Sequence, residues 1–105
     1  MKNRVVVTGL GLVNPLGLDV DPVWERLKQG DSGVGYTTVF DASRFPTKIS
    51  AEIKDFENLP LGQDAGLWKR RARHTCFAAS AALKAMESSG IQEQDLDPTR
   101  LGVYL

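Results

Sequence analysis

The sequence is poor in the residues that mark several common classes of protein. It has one cysteine and one histidine among 105 residues. An internal disulfide is therefore excluded, and so is a metal site that needs several cysteine or histidine ligands. Its apolar runs are a few residues long, far short of the roughly 20 that a membrane helix needs. We therefore expect a cytoplasmic protein without a disulfide, a metal, a cofactor or a membrane partner.

Net charge is also absent, because thirteen basic and thirteen acidic residues cancel. This balance excludes a globally basic nucleic-acid binder and an acidic tail. The charges are unevenly placed, however, since residues 65–86 carry five basic groups and no acid, whereas the flanking segments are acidic. Four of the five form what we call the basic segment, Lys69, Arg70, Arg71 and Arg73. It predicts either a docking patch for an anionic partner or a solvated helix start.

The chain is long enough for one small domain with a thin core. The run of valines that follows Arg4 predicts a strand over residues 4–7 that is covered on both faces. Asp21 and Pro22 predict the capped start of a helix that ends at Gly30. Strict alternation over residues 48–54 predicts a strand with Ile49, Ala51 and Ile53 on its buried face.

The second half of the sequence predicts one long helix over residues 67–89, ended by Gly90. Its small residues between positions 78 and 85 suggest that it is buried between layers. Residues 101–105 predict another apolar strand. The order β, α, β, α, β indicates an α/β layered fold. Because a domain rarely ends inside a buried strand, we expect residues 1–105 to be a truncated part of a larger domain.

Two local patterns suggest chemistry that the rest of the sequence does not support. Gly9 and Gly11 follow a predicted strand, but a dinucleotide-binding loop needs a third glycine where Asn14 stands and a helix that begins there. His74 and Cys76 are two positions apart on a helix, so their side chains point to different sides and cannot form a nucleophile–base pair. We therefore interpret Cys76 as a packing residue.

The chain resembles the amino-terminal signature of the β-ketoacyl-acyl-carrier-protein synthases, with motifs that follow in order along nearly all of its length. The resembling pieces are Val5-Val6-Val7-Thr8-Gly9-Leu10-Gly11, Asn14-Pro15, Gly17, the helix residues Trp24, Leu27 and Gly30, Ser32-Gly33-Val34, Phe40-Asp41, Lys54-Asp55-Phe56, Arg70-Arg71, Phe77-Ala78-Ala79-Ser80-Ala81-Ala82, Ser89-Gly90-Ile91 and Arg100-Leu101-Gly102-Val103. Each piece is weak by itself, but their common order and spacing make the resemblance specific.

The resemblance implies a thiolase-like fold with α-β-α-β-α layers, of which this chain is the start of the first half, usually in a homodimer. It implies that the full-length protein is similar to 3-oxoacyl-acyl-carrier-protein synthase II, which joins an acyl group to malonyl-carrier protein in fatty-acid or polyketide synthesis. In the family a cysteine takes the acyl group as a thioester and two histidines promote decarboxylation. All three positions lie beyond residue 105, so no catalytic residue is expected in this chain.

The resemblance also implies a role for the basic segment. Lys69 and Arg70 match positions that contact the acidic acyl carrier protein, which bears phosphopantetheine-linked acyl or malonyl groups, and Arg71 and Arg73 extend the patch. The chain departs from the family at Arg71-Ala72, where an apolar–Asp pair is common, and at His74, where phenylalanine is common.

These departures are compatible with a divergent synthase, and they also leave a second interpretation open. In it, the full-length protein is a noncatalytic subunit of the chain-length-factor type, which keeps the dimer or carrier-protein interface. A third and weaker interpretation takes residues 68–74 as a nucleic-acid patch, since tryptophan beside basic residues supports stacking and phosphate contacts. We do not expect a nucleic-acid partner.

Overall fold

A computed structural model describes residues 2–62, 65–68 and 70–104. The regular elements are α1 (Val20–Lys28), β1 (Val34–Tyr36), β2 (Ile49–Ala51), α2 (Ala65–Trp68) and α3 (Arg73–Ser89), with 3₁₀ turns at Phe56–Asn58, Glu93–Asp95 and Pro98–Arg100. Within these ranges, no helix has the length and apolar character needed to cross a membrane.

The segment before α1 passes directly over α3. A Cβ added to Gly9 would clash with the Ala85 carbonyl and lie 2.7 Å from the Ser89 nitrogen, and one added to Gly11 would clash with the Ala81 carbonyl and lie 2.6 Å from the Ala85 nitrogen. Ala81, Ala85 and Ser89 follow at four-residue intervals, so they form one row on the helix. The two glycines therefore serve close packing of the chain against this row.

Helix α1 is held to α3 by Lys84. Its ammonium group forms an ion pair with Asp19, at 2.6 Å, and donates a hydrogen bond to the Leu18 carbonyl. Asp19 precedes the helix with extended backbone angles, and its carbonyl accepts from the Val23 N–H at 3.2 Å. The N-cap is therefore Asp19 and the prediction of Asp21 is wrong by two residues, because helical hydrogen bonding already begins at Asp19.

The predicted end of α1 at Gly30 is confirmed. Gly30 has φ +79°, a left-handed conformation that suits glycine. Its N–H donates to the Leu27 carbonyl at 3.0 Å, and the Asp31 N–H donates to the Arg26 carbonyl at 3.0 Å. These two bonds form a Schellman motif, which satisfies carbonyls that the helix end would leave without partners.

The two apolar strands predicted at residues 4–7 and 101–105 are not observed in the described residues. Val5 and Val7 are 91% and 79% exposed, and Val103 is 80% exposed. A strand needs a neighbour to receive its backbone hydrogen bonds. The one sheet of the described residues is β1 with β2, and neither segment lies beside it. The predicted burial of residues 4–7 on both faces is therefore not observed in the described residues either.

The β1–β2 sheet differs from the prediction in two respects. No strand is predicted from the sequence where β1 forms. Strand β1 pairs antiparallel with β2, with Val34 opposite Ala51 and Tyr36 opposite Ile49. The predicted burial of Ile49 and Ala51 is wrong, because both are exposed, Ile49 to 55%, whereas Ser50 between them is half-buried. Ile53, which lies beyond the end of β2, is half-buried. The Ser50 hydroxyl bonds to the hydroxyl of Thr37 at 2.9 Å. The polar side of the strand thus faces the rest of the chain.

The long helix predicted over residues 67–89 is interrupted. The Trp68 carbonyl accepts from the Arg71 N–H at 2.8 Å and from the Cys76 thiol at 3.1 Å. These contacts replace the bond that a continuous helix would make from the Ala72 N–H. Ala72 is extended, with ψ 147°, and precedes α3 as its N-cap. The predicted end is confirmed, since Gly90 adopts φ +69° after Ser89.

The core is thin, as the length of the chain predicts. Its buried cluster is formed by Leu59, Leu61 and Cys76, with Val13, Leu18, Phe56, Trp68, Phe77 and Ala79 packed around it. The accessible surface is 8853 Å², whereas a compact monomer of this mass exposes about 5,800 Å². The radius of gyration is 17.1 Å, against about 13 Å for a compact domain of this length. The chain therefore leaves much apolar surface exposed.

We expect Gly11→Ala to destabilise the protein. The added methyl group would overlap the backbone of α3 at Ala81 and Ala85, and overpacking of this kind costs about 1–3 kcal/mol. Urea unfolding measures the change. Gly35→Ala is the control, because no atom lies within 4 Å of its added Cβ. Equal unfolding midpoints for the two variants would contradict the close packing of this segment on α3.

Candidate functional site

The described part of the basic segment lies on the connection between α2 and α3 and at the first residue of α3. Arg70 and Arg71 follow α2 and are exposed, and Arg73 is the exposed first residue of α3. Lys69 lies outside the described residues. The sequence predicts this segment inside a continuous helix, so the break at Ala72 changes the positions from which its side chains extend. Arg71 and Arg73 line different depressions of the surface.

Arg71 lines a small apolar notch. Its other walls are Leu67 and Trp68 from α2 and Thr75 from α3, and its volume is about 250 Å³. Leu67 is 57% exposed. The notch exists because the chain turns after α2, where the Arg70 N–H donates to the Leu67 carbonyl at 3.3 Å. We refer to these four residues as the Leu67 notch.

Arg73 has an aromatic partner that the sequence did not suggest. Its guanidinium carbon lies 3.9 Å from the ring centroid of Phe56 and 5.7 Å from that of Phe77. The two rings meet edge to face at 5.9 Å. Cation–π contacts stabilise such pairs by about 0.5–1 kcal/mol at exposed sites. Arg73 therefore ties the start of α3 to the 3₁₀ turn at Phe56–Asn58.

The larger depression beside Arg73 measures about 420 Å³ and contains charges of both signs. It is lined by Thr38, Val39, Glu52, Ile53, Lys54, Asp55, Phe56, Glu57, Asn58 and Arg73. Acidic side chains outnumber basic ones in this lining, which does not favour an anionic ligand.

Glu52 is a strongly hydrogen-bonded carboxylate at this depression. The Thr38 hydroxyl and N–H donate to its two oxygens at 2.7 and 2.8 Å, and the Ser50 hydroxyl donates at 2.9 Å. The hydrogen bonds from Thr38, which favour the charged form, lower the pKa of Glu52 from 4.5 to about 2. Glu52 therefore fixes the end of β2 to the segment after β1.

Cys76 and His74 do not form a reactive pair. Cys76 is fully buried and its thiol donates to the Trp68 carbonyl, whereas His74 is exposed. The prediction that Cys76 is a packing residue is confirmed by its place in the core cluster. In the described ranges, no group of three or more potential metal ligands comes together.

Comparison with known proteins gives one consistent result. Residues 2–105 match the family model described as β-ketoacyl synthase, N-terminal domain. Over 104 residues the chain is 43% identical to 3-oxoacyl-acyl-carrier-protein synthase 2 of Coxiella burnetii, covering 99% of this chain and 25% of that protein. It is 36% identical over 108 residues to the chloroplastic 3-oxoacyl-acyl-carrier-protein synthase I of Arabidopsis thaliana, covering 99% of this chain and 22% of that protein.

A solved structure gives the fold. The ishigamide ketosynthase/chain length factor matches with a TM-score of 0.70 and 31% identity, over 87% of this chain and 22% of that chain. The helices and small sheet described above thus correspond to part of a ketosynthase, which has a thiolase-like fold, and the fold prediction is confirmed. The chain spans about a quarter of the length of the curated relatives that it matches.

The lowered pKa of Glu52 predicts a pH dependence of stability. A carboxylate with a depressed pKa in the folded state stabilises the protein above its unfolded pKa of 4.5, and this contribution is lost as the pH falls towards 2. Urea unfolding at several pH values between these limits measures it. We expect Glu52→Gln to reduce the slope of stability against pH in this window, and an unchanged slope would contradict the role of the Thr38 hydrogen bonds.

The burial of Cys76 predicts slow modification of its thiol. In the native protein we expect iodoacetamide to leave the peptide that contains Cys76 unmodified, because this side chain has no exposed surface. After denaturation the same peptide should react quickly. Mass spectrometry of the digested protein measures both states, and rapid modification before denaturation would contradict a packing role.

Proposed function

Because the chain belongs to the β-ketoacyl synthase family, we propose that the full-length protein is a 3-oxoacyl-acyl-carrier-protein synthase. The observation that carries this proposal is 43% identity to such an enzyme across nearly the whole chain. The enzyme joins an enzyme-bound acyl thioester to malonyl-carrier protein. The bond between the malonyl carboxylate and its α-carbon breaks, and carbon dioxide leaves. The resulting carbanion attacks the thioester carbonyl, the carbon–sulfur bond to the enzyme's cysteine breaks, and the cysteine thiolate leaves, which gives a 3-oxoacyl-carrier protein.

In this proposal the chain supplies structure and binding, and the chemistry lies in the remainder of the protein. Cys76 is unsuited to accept an acyl group, since it is buried and hydrogen-bonded to a backbone carbonyl. The catalytic cysteine and two histidines of the family belong to positions beyond residue 105. We propose that residues 1–105 form the first part of the first α/β half.

The exposed apolar surface supports a larger assembly. Val5, Val7, Tyr36, Val103 and Tyr104 are between 79% and 95% exposed, which is unfavourable for a surface that stays in water. We propose that further parts of the full-length protein pair with residues 4–7 and 101–104 as strands and cover this surface. We also propose that the full-length protein forms a homodimer, as is usual in the family, and that it works in the cytoplasm.

We further propose that the basic segment binds the acyl carrier protein. Arg70 and Arg71 are exposed on the connection between two helices, and residues 65–86 contain no acid that would neutralise them. Such a local excess of positive charge attracts an acidic protein and orients it. We include Lys69 because its position matches one that contacts the carrier protein in the family. Arg73 contributes less, because its guanidinium is held against Phe56.

A second candidate function is a noncatalytic subunit of the chain-length-factor type. The similar solved structure combines a ketosynthase with a chain length factor, so the fold alone is compatible with both. The residue at the nucleophile position of the full-length protein separates them, since a cysteine there is required for a thioester. Condensing enzymes are the better-supported candidate, because the curated relatives named above are synthases.

Charge reversal in the basic segment tests the docking proposal. We expect Lys69→Glu with Arg70→Glu in the full-length protein to weaken binding of the acyl carrier protein by about tenfold or more at low ionic strength, because attraction becomes repulsion. Isothermal titration calorimetry measures the affinity. Added salt should reduce the difference in affinity between the double variant and the unchanged protein, because it screens the charges.

The control is Arg44→Glu with Arg100→Glu, which gives the same change of net charge at positions that are far from the basic segment in the sequence. Both side chains are exposed, so the fold should survive in each variant, as circular dichroism would check. Equal affinities for the two double variants would refute docking at the basic segment.

A further inference from the structure

We propose that the Leu67 notch receives one apolar side chain of the acyl carrier protein, so that docking combines this anchor with the charges of Arg70 and Arg71. The inference rests on the proposed function, because it takes the acidic carrier protein as the partner. It adds a contact of a different kind, however, since the basic segment alone offers charge and the notch offers apolar surface.

The size of the notch suits a single side chain. Its volume is about 250 Å³, below the range of about 300–1,000 Å³ that small-molecule sites occupy. Its walls include an aliphatic and an aromatic side chain, Leu67 and Trp68, and none of the described residues that line it is acidic. A small charged metabolite would leave most of these walls without complementary contacts.

The wall formed by Trp68 is fixed before any partner arrives. Trp68 packs against the core cluster that includes Leu61 and Cys76. Its carbonyl is held from two sides by the Arg71 N–H and the Cys76 thiol. A wall that is already ordered loses little conformational entropy on binding, which increases the affinity that a given contact provides.

The charges around the notch select the class of partner. Arg71 lines the notch. Arg70 precedes it in the sequence, and the Arg70 N–H donates to the Leu67 carbonyl. Protein interfaces commonly place an apolar anchor at the centre of a charged or polar rim. Here the rim is positive, so the complementary partner carries an apolar side chain among acidic ones.

The two kinds of contact have different consequences for docking. Attraction between charges acts at a distance and speeds association, but it fixes orientation poorly and weakens with salt. Insertion of one apolar side chain acts only at contact and is largely insensitive to screening. The notch should therefore determine the register in which the carrier protein sits against α2 and α3.

The test uses Leu67→Ser in the full-length protein, titrated calorimetrically with holo acyl carrier protein of the same organism at low and at high salt. The matched control is Leu27→Ser on α1, because Leu27 and Leu67 are exposed to similar degrees, 52% and 57%. We expect Leu67→Ser to weaken binding about tenfold at both salt concentrations, as the loss of one buried apolar contact predicts, and the control to bind normally.

A second variant, Thr75→Trp, fills the notch while leaving Leu67 in place, and it should weaken binding to a similar extent. It keeps the test decisive if Leu67→Ser folds poorly by circular dichroism. Normal binding by a folded Leu67→Ser protein, together with weak binding by the Lys69→Glu, Arg70→Glu protein, would overturn the notch and leave carrier-protein docking intact.

Two further outcomes would overturn the inference in other ways. Normal binding by all variants would refute both the notch and docking at the basic segment. Displacement of the carrier protein by a single-stranded DNA oligonucleotide, with a steep dependence on salt, would instead assign the surface around Trp68 to nucleic acid.

Discussion

The close contact between the Gly9–Gly11 segment and α3 is the constraint on which the remaining structure depends. Two glycines allow the chain to touch the helix backbone at the row of Ala81, Ala85 and Ser89. With the segment in this place, α3 connects to the other parts of the chain: Lys84 holds α1, Cys76 holds α2, and Arg73 holds the turn at Phe56–Asn58. The glycine pattern that superficially suggests nucleotide binding is thus a packing device.

The same helix determines where positive charge is presented. The chain is neutral as a whole, yet its excess of basic residues falls on the short connection that precedes α3. The Cys76 thiol and the Arg71 N–H share the Trp68 carbonyl, and this arrangement ends α2 and creates the notch beside the arginines. A buried cysteine with no reactive role therefore contributes to the shape of the surface that we assign to the carrier protein.

Local sequence signals predicted the features that depend on local physics. Gly30 and Gly90 end their helices because only glycine adopts positive φ readily, and Cys76 is buried as its small neighbours suggest. Features that depend on distant residues were missed. The sequence places the polar side of β2 in solvent, but this side faces the rest of the chain because the Ser50 hydroxyl forms hydrogen bonds with Thr37 and Glu52. The break at Ala72 is not predicted because helical periodicity does not reveal that the Cys76 thiol bonds back to the carbonyl of Trp68, eight residues earlier.

We propose that this member of the β-ketoacyl synthase family binds the acyl carrier protein at the connection between α2 and α3. Hydrogen–deuterium exchange of the full-length protein, with and without holo carrier protein, provides a direct test. Docking at this connection predicts that, within residues 1–105, slower exchange on binding is concentrated in peptides covering residues 65–76. Unchanged exchange in those peptides, with protection elsewhere on the protein, would contradict it.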